Sequence, residues 1–486
     1  MSGSIVVSLL EASAPQVAAR LRALPGGTAR VEIRADALGA GDVEALVRAA
    51  PLPAIVTVRE PKDGGSFAGT PERKRAILSA ALRAGAFAVD VEWDGPLRDL
   101  AFGPEASRVI VSHHGAPCTA AALDALFDRM AAAPVPRLKI VPHATHPSEI
   151  AAIAGLLERA RRNGRALAAF ATGRAGMASR ILAPSWGSWA TYGSIAEDRA
   201  TAEGQTTADD LASVFRVDAI TESTRRFALF GSPVATSPSP AIHAAGYRAL
   251  GLDAVYIPVD TDDVEEIVRV ASSLHLSGFA VTVPLKSAVA ARCVSLDRAA
   301  ECGAVNSVVC GSDGWHGFNT DGPAASALLA ARVPLEGAAV AIAGAGGTAR
   351  AIGAALGERK ARVTFHGRDP ERTAEAARRI GAAAARWDAL PAADWDILVQ
   401  ATPLGAGGEV VLPAGSLRGR AVLDAAYGAA ATPLVRAARA RGLSVVDGGD
   451  LLLAQALLQF EILTGRPAPR SEMAAARARR IGTAPA

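Results

Sequence analysis

The chain has 486 residues, of which 50% are hydrophobic and 20% are charged, so it can form roughly two to four domains with sizeable cores. The net charge of +3, with the arginines spread along the chain, excludes a basic nucleic-acid-binding stripe. No apolar run reaches transmembrane length, no basic and apolar leader precedes Ile5–Leu10, and the four cysteines show no C-x-x-C pairing. We therefore expect a cytoplasmic protein without membrane segments, disulfides or a metal site.

The first 220 residues alternate short β-branched runs with helical stretches rich in Ala, Leu and Arg. Predicted strands begin at Ile5, Arg30, Ala54, Ala86, Arg108, Arg137, Ala166 and Thr191. Predicted helices include Pro15–Leu24, Pro71–Ala84, Thr119–Ala132, Pro147–Arg162 and, at the end, Asp209–Val217. Eight strands that alternate with helices in this length favour a (β/α)8 TIM barrel over an open sheet.

Polar side chains interrupt these strands near their ends. Glu32 and Arg34 stand two residues apart and so point to one side of their strand, and His114 ends the fifth strand. Lys139 lies in an apolar strand, in a chain that has only five lysines among 51 cationic residues. An amine can form a Schiff base or carry a proton, whereas a guanidinium cannot lose its proton. Charges that face into a barrel are costly unless paired and used, and barrel enzymes place their chemistry at that mouth.

The residues of this half resemble type I 3-dehydroquinate dehydratase. The shared motifs are Glu32-Ile33-Arg34-Ala35-Asp36, Arg59 with Lys62-Asp63-Gly64-Gly65, Ser112-His113-His114, Lys139, Gly176-Met177-Ala178-Ser179-Arg180 and Gly204-Gln205. The resemblance implies that Lys139 forms an imine with the substrate ketone and that His114 moves the neighbouring proton. Asp63 stands where the family usually has Glu, and the resemblance implies that it is a further catalytic residue, which supports His114 as the base. The implied substrate-binding residues are Glu32, Arg34 and Arg59 for the hydroxyls and Arg180 and Gln205 for the carboxylate. Thr201, which also binds the substrate by resemblance, replaces a usual Ser and keeps its hydroxyl.

A new strand begins at Phe227, after a short connection. The run Ser237-Pro238-Ser239-Pro240 follows, just before a predicted helix at Ala241–Leu250. Two hydroxyls at a helix N-terminus can jointly donate to a carboxylate. Lys286 closes the apolar run Val281–Lys286 and is the second lysine whose surroundings point to chemistry.

A glycine turn lies farther along the chain. The predicted strand Val340–Ala343 runs into Gly344-Ala345-Gly346-Gly347-Thr348-Ala349, and a predicted helix at Arg350–Arg359 follows. This order is typical of a dinucleotide-binding Rossmann domain. The next predicted strand, Arg362–His366, ends in Gly367-Arg368-Asp369. Arg368 suits the 2′-phosphate of NADP and Asp369 suits the ribose of NAD; we expect NADP, with NAD as the alternative.

Residues 226–467 resemble shikimate dehydrogenase. The shared motifs are Ser237-x-Ser239-Pro240-x-x-His243, Val281-Thr282-Val283-Pro284-x-Lys286, Gly303-Ala304-Val305-Asn306, Asn319-Thr320-Asp321-Gly322, Ala401-Thr402-Pro403-x-Gly405, Asp424-x-x-Tyr427 and Gln455-x-x-x-Gln459-Phe460-Glu461. The resemblance implies that Lys286 and Asp321 form the catalytic pair. The substrate would be bound by Ser237, Ser239, Thr282, Asn306, Tyr427, Gln455 and Gln459. The cofactor would be bound by Gly344, Ala345, Gly346, Gly347, Thr348, Ala349, Arg368, Asp369, Thr402, Gly405 and Gly448. Three positions depart from the family pattern: Ala280 and Gln400 stand where Asn is frequent, and Ala406 stands where Met often follows the glycine.

Together the two resemblances imply a bifunctional enzyme of the shikimate pathway, since the product of the first reaction is the substrate of the second. The expected domains are a barrel (1–220), a substrate-binding domain (224–330), a Rossmann domain (331–450) and C-terminal helices that return to the substrate domain (451–486). The expected partners are small molecules, with no nucleic acid and no membrane; the sequence leaves the oligomeric state open. Two rival interpretations are a quinate or quinate/shikimate dehydrogenase that uses NAD, and a ligand sensor without turnover.

Overall fold

The computed structural model describes residues 3–405, 407–428 and 430–481. The chain divides into two compact units. The first comprises Met1–Thr224, Ile257–Thr261 and Glu265–Leu274, and the second comprises Arg225–Tyr256, Asp262–Val264 and His275–Ala486. Within the described ranges, no helix has the length and apolarity needed to cross a membrane. Ala406, one of the three departures from the family pattern, lies outside the described residues.

The first unit is built on an eight-stranded parallel sheet. Its strands are β1 (Ile5–Leu10), β2 (Arg30–Arg34), β3 (Ala54–Thr57), β4 (Ala88–Glu92), β5 (Val109–Pro117), β6 (Arg137–His143), β7 (Ala166–Ala169) and β8 (Thr191–Ser194). Strands β1 to β7 follow in spatial order and β8 pairs with β1, so the sheet wraps into a nearly closed barrel. The predicted (β/α)8 fold is confirmed.

Seven α-helices accompany these strands: α1 (Ala14–Leu21), α2 (Ala40–Ala49), α3 (Pro71–Arg83), α4 (Ala120–Ala131), α5 (Ile150–Arg162), α6 (Met177–Leu182) and α7 (Ala208–Ser213). Three predicted helix boundaries in this unit are wrong by three residues or more, the first being the end of α1 at Leu21 and not at Leu24. Helix α5 begins at Ile150 because Pro147–Glu149 forms a 3₁₀ turn. Helix α7 ends before the predicted Val217 because Arg216 adopts a left-handed conformation, with a φ of 50°, that no helix can continue.

The chain after Thr224 contains two six-stranded sheets, and both belong to the second unit except for Ile257–Thr261 and Glu265–Leu274, which are grouped with the first unit. The first is formed by β9 (Arg225–Gly231), β10 (Ala254–Asp260), β11 (Gly278–Val281), β12 (Ser295–Leu296), β13 (Ser307–Gly311) and β14 (Gly314–Phe318). Its helices are α8 (Ser239–Ala249), α9 (Val264–Ser273), α10 (Lys286–Ala290) and α11 (Asp321–Ala330). Antiparallel pairing of β13 with β11 and β14 makes this a mixed sheet.

The other sheet is parallel, with the order β17-β16-β15-β18-β19-β20 that is typical of a Rossmann domain. Its strands are β15 (Ala339–Ala343), β16 (Arg362–Gly367), β17 (Ala383–Arg386), β18 (Ile397–Gln400), β19 (Ala421–Asp424) and β20 (Ser444–Val446). Helices α12 (Gly347–Glu358), α13 (Pro370–Ile380) and α14 (Pro433–Ala440) flank it, and α15 (Gly448–Thr464) and α16 (Arg470–Ile481) follow. Helix α15 contributes Leu451 to the core of this sheet and Phe460 to the core of the mixed sheet. The predicted two-part architecture is confirmed.

Helices α11 and α12 approach each other closely at Gly322. A Cβ atom at this position would lie 2.4 Å from the backbone oxygen of Ala351, which cannot rotate away as a side chain can. Glycine at position 322, the second residue of α11, therefore allows the two helices to pack closely. By contrast, a Cβ atom at Gly357, near the end of α12, would meet no heavy atom within 4 Å.

These two glycines give a matched pair of substitutions. Gly322→Ala should destabilise the α11–α12 contact by about 1–3 kcal/mol, because one helix must move to admit the methyl group. Gly357→Ala should stabilise α12 by about 0.5–1 kcal/mol. Hydrogen–deuterium exchange of the α11 and α12 amides measures both effects. Equal exchange rates in the two variants would contradict the close-packing explanation.

Candidate active sites

A cavity of about 380 Å³ opens at the carboxyl ends of the barrel strands. All nine residues predicted for the first site line it: Glu32, Arg34, Arg59, Asp63, His114, Lys139, Arg180, Thr201 and Gln205. The side-chain alternation of the parallel strands explains this convergence, since residues two apart on each strand face the interior. The structure thus brings the predicted groups together, and their individual roles remain predictions.

Lys139 lies in β6 and is buried. Its Nζ atom is 3.2 Å from Asp90 Oδ2 and 3.6 Å from Glu32 Oε1, and it lies 4.1 Å from the centre of the Tyr192 ring. Two carboxylates and an aromatic face therefore surround the amine. This arrangement stabilises a cationic nitrogen, whether an ammonium or a protonated imine.

Glu32 shows how the network balances its buried charges. It accepts hydrogen bonds from Ser8 Oγ at 2.6 Å and Thr57 Oγ1 at 2.8 Å. Burial alone would raise the pKa of Glu32, but the charges of Lys139, Arg34 and Arg59 lower it to about 2. Glu32 is therefore ionised throughout the neutral range and can accept hydrogen bonds from a hydroxylated ligand.

His114 lies in β5, two residues after Ser112. Its Nδ1 atom is 2.6 Å from Glu92 Oε1, and Arg59 Nη1 lies 2.6 Å from its Nε2 atom. Burial, together with the charges of Arg59 and Lys139, lowers the pKa of His114 well below its usual value. The imidazole is therefore neutral near pH 7, the form that can accept a proton.

The buried guanidinium of Arg180 has no carboxylate partner among the described residues. Among the described residues its hydrogen bonding is limited to Nη1, which donates to the backbone oxygen of Tyr192 at 3.3 Å, and its Nε atom has no partner. Burial lowers the pKa of Arg180 to about 10, so it keeps its charge at neutral pH. An uncompensated cation inside the barrel is costly unless an anionic ligand completes it. Beside it, Gln205 Oε1 accepts hydrogen bonds from the backbone and hydroxyl of Thr201.

The second unit holds a cavity of about 630 Å³. Residues predicted for the dehydrogenase substrate and its chemistry line this cavity: Ser237, Ser239, Thr282, Lys286, Asn306, Asp321, Tyr427, Gln455 and Gln459. Ser239 is the first residue of α8, and Ser237 Oγ accepts a hydrogen bond from its backbone at 3.3 Å. Ala280 lies in the same wall, where it presents a methyl group instead of the amide frequent in the family.

Lys286 and Asp321 form the centre of this cavity. They are joined by a short hydrogen bond, and Lys286 Nζ also donates to Thr348 Oγ1 at 2.8 Å. Thr348 Oγ1 in turn donates to Asp321 at 3.0 Å, and Asn306 donates to the other carboxylate oxygen at 2.8 Å. Burial would raise the pKa of Asp321, but Lys286 and these hydrogen bonds lower it overall. The pair is therefore a fixed carboxylate and ammonium, a suitable proton relay.

Gln459 bonds mainly to the protein. Its Oε1 atom accepts hydrogen bonds from His243 and Tyr256, and its Nε2 atom donates to Ser307 Oγ and the backbone oxygen of Asn306. With its amide engaged in this way, Gln459 supports the wall that carries Asn306.

A further cavity of about 450 Å³ borders the glycine turn. Gly344 has a φ of 113°, and a Cβ atom there would lie 2.9 Å from the backbone oxygen of Ala401. Helix α12 begins at Gly347, three residues before the predicted start, and no side chain caps its N-terminus. Free backbone N–H groups at such a helix end bind a pyrophosphate well, so the turn fits a dinucleotide.

The same cavity is lined by Arg368, Arg372 and Asp369, along with most other predicted cofactor residues (Gly344, Ala345, Gly346, Gly347, Thr348 and Thr402). Asp369 is the N-cap of α13, where its carboxylate accepts a hydrogen bond from the backbone of Arg372 at 3.1 Å. The Asp369 carboxylate therefore caps helix α13, and the guanidiniums of Arg368 and Arg372 line the cavity. Three other predicted residues lie elsewhere: Ala349 is in the core, Gly448 lines the substrate cavity, and Gly405 adjoins Thr432.

Gln400, another departure from the family pattern, is fully buried at the end of β18. Its Oε1 atom accepts from the backbone and hydroxyl of Thr402, and its Nε2 atom donates to the backbone oxygens of Thr402 and Leu404. Gln400 thus shapes the loop that borders the substrate cavity and the cavity at the glycine turn.

Comparison with known proteins is consistent with this geometry. The type I 3-dehydroquinase family matches residues 5–222, the shikimate dehydrogenase substrate-binding domain matches residues 229–308, and the shikimate 5′-dehydrogenase C-terminal domain matches residues 450–476. The chloroplastic bifunctional 3-dehydroquinate dehydratase/shikimate dehydrogenase of Arabidopsis thaliana is 30% identical over 478 residues, which cover 91% of this chain and 79% of the plant protein. The chain belongs to this bifunctional family.

Single-function relatives match the second half. The NADP(+) shikimate dehydrogenase of Anaeromyxobacter dehalogenans is 41% identical over 280 residues, which cover 54% of this chain and 99% of that enzyme. A solved structure of a shikimate dehydrogenase in complex with NADP⁺ is 27% identical, with a TM-score of 0.50, and covers 54% of this chain and 98% of that one.

Sequence reasoning missed four residues that the structure places in the sites of this family member. Asp90 and Glu92 lie two apart on β4 and bind Arg59 at 3.2 and 2.7 Å, and Tyr192 lies against Lys139. Arg372 joins Arg368 at the dinucleotide cavity. The spacing of Asp90 and Glu92 repeats that of Glu32 and Arg34, so strand alternation could have found them. Arg372 carries no such signal, because only the first turn of α13 brings it back to the cavity.

The arrangement at α13 gives a prediction about cofactor choice. Arg368→Ala should raise the KM for NADPH about ten- to hundredfold and leave that for NADH almost unchanged, because charged hydrogen bonds worth about 1.5–3 kcal/mol are lost. Asp369→Ala should keep the preference and lower the stability by about 1 kcal/mol, because it removes a helix cap. Steady-state kinetics with both cofactors and thermal melts measure these effects. If Asp369→Ala instead abolished a preference for NADH, the ribose-binding alternative would be correct.

Proposed function

We propose that the barrel dehydrates 3-dehydroquinate to 3-dehydroshikimate through an imine on Lys139, and that the second unit reduces this product to shikimate with NADPH. Membership of the bifunctional family supports the two activities. The observation that carries the proposal is that each complete set of reactive side chains meets in one cavity, Lys139 and His114 in one and Lys286 and Asp321 in the other.

The dehydration begins at Lys139. Its amine must be neutral to attack the ketone, and Asp90, 3.2 Å away, is the nearest group that can take its proton. The ketone oxygen then leaves as water, and a protonated imine remains. The positive nitrogen draws electrons from the adjacent carbon and makes its proton acidic. The carboxylates and the Tyr192 ring around Nζ stabilise this cation.

His114 carries out the proton transfers. In its neutral form it removes the proton beside the imine, and the resulting imidazolium returns a proton to the departing hydroxyl, which leaves as water. Arg180 holds the substrate carboxylate and so fixes the ring relative to Lys139. Hydrolysis of the imine releases the product and restores the amine.

The reduction depends on the Lys286–Asp321 pair. When bound, NADPH supplies the hydride to the ketone carbon. Lys286 gives a proton to the ketone oxygen as negative charge develops there, and Asp321 holds the ammonium in place. The hydroxyls of Ser237 and Ser239 lie where they can donate to the substrate carboxylate. The uncapped N-terminus of α12 would hold the pyrophosphate of the cofactor, with Arg368 and Arg372 at its 2′-phosphate.

Borohydride trapping tests the imine. Addition of borohydride with 3-dehydroquinate should leave a stable covalent adduct on Lys139, because only an imine is reduced to an amine. Lys139→Arg should lower the dehydration rate by several orders of magnitude and abolish the adduct. Peptide mass spectrometry locates the adduct. Lys62→Arg is the matched control, since Lys62 also lines the cavity but should not be modified. An adduct on Lys62, or none, would show that the assignment is wrong.

The two activities should be separable by mutation. Lys286→Ala removes the proton donor of the reduction and should lower NADPH oxidation by orders of magnitude, while dehydration stays near the parent rate. Lys360→Ala serves as the control, because Lys360 is exposed and paired with Glu336 at the surface. Both activities are measured on each variant. A joint loss of both activities in Lys286→Ala would contradict independent sites.

A further inference from the structure

Arg350 is the fourth residue of α12, the helix that follows the glycine turn. Its guanidinium forms three hydrogen bonds, and all of them reach the substrate-binding part of the dehydrogenase. Nε donates to the backbone oxygen of Cys302 at 3.2 Å, and Nη2 donates to the backbone oxygen of Gly303 at 3.0 Å and to Ser287 Oγ at 2.5 Å. Since Arg350 forms no ion pair within the described ranges, these three oxygens hold its side chain.

One of the three acceptors stands beside the amine of the proton relay. Ser287 follows Lys286 directly, and both belong to the short helix α10. The two helices also pack closely at this point, since a Cβ atom at Gly347 would lie 3.1 Å from the Cβ atom of Lys286. The start of α12 therefore contacts the start of α10, and the hydrogen bond from Arg350 to Ser287 fastens this contact.

The two backbone acceptors begin a segment that bonds to both members of the proton relay. In this segment, residues 302–306, the backbone N–H of Val305 donates to the backbone oxygen of Lys286 at 3.0 Å. At its end, the Asn306 side chain donates to the Asp321 carboxylate at 2.8 Å. The guanidinium is therefore connected to the ammonium through α10 and to the carboxylate through residues 302–306.

Arginine suits this position because its planar guanidinium carries several N–H donors in a fixed fork. Two of the three nitrogens of Arg350 are used on oxygens that belong to two different segments. A lysine ammonium is a single point on a flexible stem and could not hold both segments in the same way. The side chain thus acts as a rigid connection between α12 and the segments around the proton relay.

We propose that Arg350 is a positioning residue for the reduction, because it fixes Lys286 and residues 302–306 relative to the N-terminus of α12. This inference rests on the proposed function of the dehydrogenase. The N-terminus of α12 would hold the pyrophosphate of the cofactor, so its place determines where the hydride is delivered. Lys286 determines where the proton is delivered. A misplacement of about 1 Å between such groups can lower a rate about a hundredfold.

A different role for Arg350 would be direct contact with the cofactor, because Arg350 also lines the dinucleotide cavity. The two roles predict different kinetics. Loss of a direct contact weakens the binding of NADPH and raises its KM and Kd. Loss of a positioning contact lowers kcat and leaves the binding of NADPH nearly unchanged.

The test compares Arg350→Met with Arg359→Met. Arg359 ends the same helix, is exposed and has no side-chain hydrogen bond in the described part of the chain, so it is the matched control. For Arg350→Met we expect kcat for the reduction of 3-dehydroshikimate to fall at least about tenfold, while the Kd of NADPH changes less than about threefold. Arg359→Met should keep the parent values, and melting curves check that both variants are folded. A raised Kd with an unchanged kcat in Arg350→Met would overturn the inference.

A second measurement does not depend on turnover or on bound cofactor. Hydrogen–deuterium exchange of the ligand-free protein reports on the amides of α10 and of residues 302–306, including the Val305 amide that bonds to Lys286. These amides should exchange faster in Arg350→Met and at the parent rate in Arg359→Met. If the parent fails to reduce 3-dehydroshikimate with NADPH, the proposed function is wrong, and the exchange rates still show whether Arg350 holds these segments. Unchanged exchange in Arg350→Met would refute the inference.

Discussion

A charge can be buried in a protein only where an opposite charge or a set of hydrogen bonds compensates it, and this constraint organises the barrel. Arg59 lies between Asp90 and Glu92, and Lys139 lies between Asp90 and Glu32. Each of these charged side chains lies beside at least one opposite charge, so the barrel interior can hold ions that would be too costly to bury alone. The network keeps an amine, an imidazole and two guanidiniums away from bulk water at the mouth of the barrel.

One cation stands outside this balance. Arg180 has no carboxylate partner among the described residues, so the network is complete only when an anion enters the cavity. Because this charge is unpaired, the cavity favours a negatively charged ligand. In the second unit the reverse holds, because Lys286 and Asp321 neutralise each other before any ligand binds. Under the proposed function, the substrate carboxylate would therefore meet a buried guanidinium in the first cavity and hydroxyls at a helix N-terminus in the second.

Much of this arrangement could be predicted from the sequence, because strand alternation and motif order are local. Predicted strand starts at Ile5, Arg30 and Thr191 agree with the structure, and the predicted residues of each site share a cavity. Contacts that depend on the length of one side chain could not be predicted. Asp63 was predicted beside His114, but its Oδ2 atom is buried without a hydrogen-bond partner among the described residues, and the use of Asp369 as a helix cap depends on where α13 begins. The sequence places such groups near a site, and only packing decides which atom they bind.

The hydroxyl of Thr348 belongs to the first turn of the helix that follows the glycine turn, yet it bonds to both members of the proton relay. The Rossmann part of the dehydrogenase therefore supplies a hydroxyl that bonds to the Lys286–Asp321 pair of the substrate-binding part. The predicted barrel site does not depend on a second sheet in this way, since its nine residues all lie between Glu32 and Gln205. For protein engineering this means that the predicted residues of the barrel site can be changed within one continuous segment of the chain. The two sheets of the dehydrogenase must instead be kept together, because a chimera joined between them would separate Lys286 from the hydroxyl that holds it.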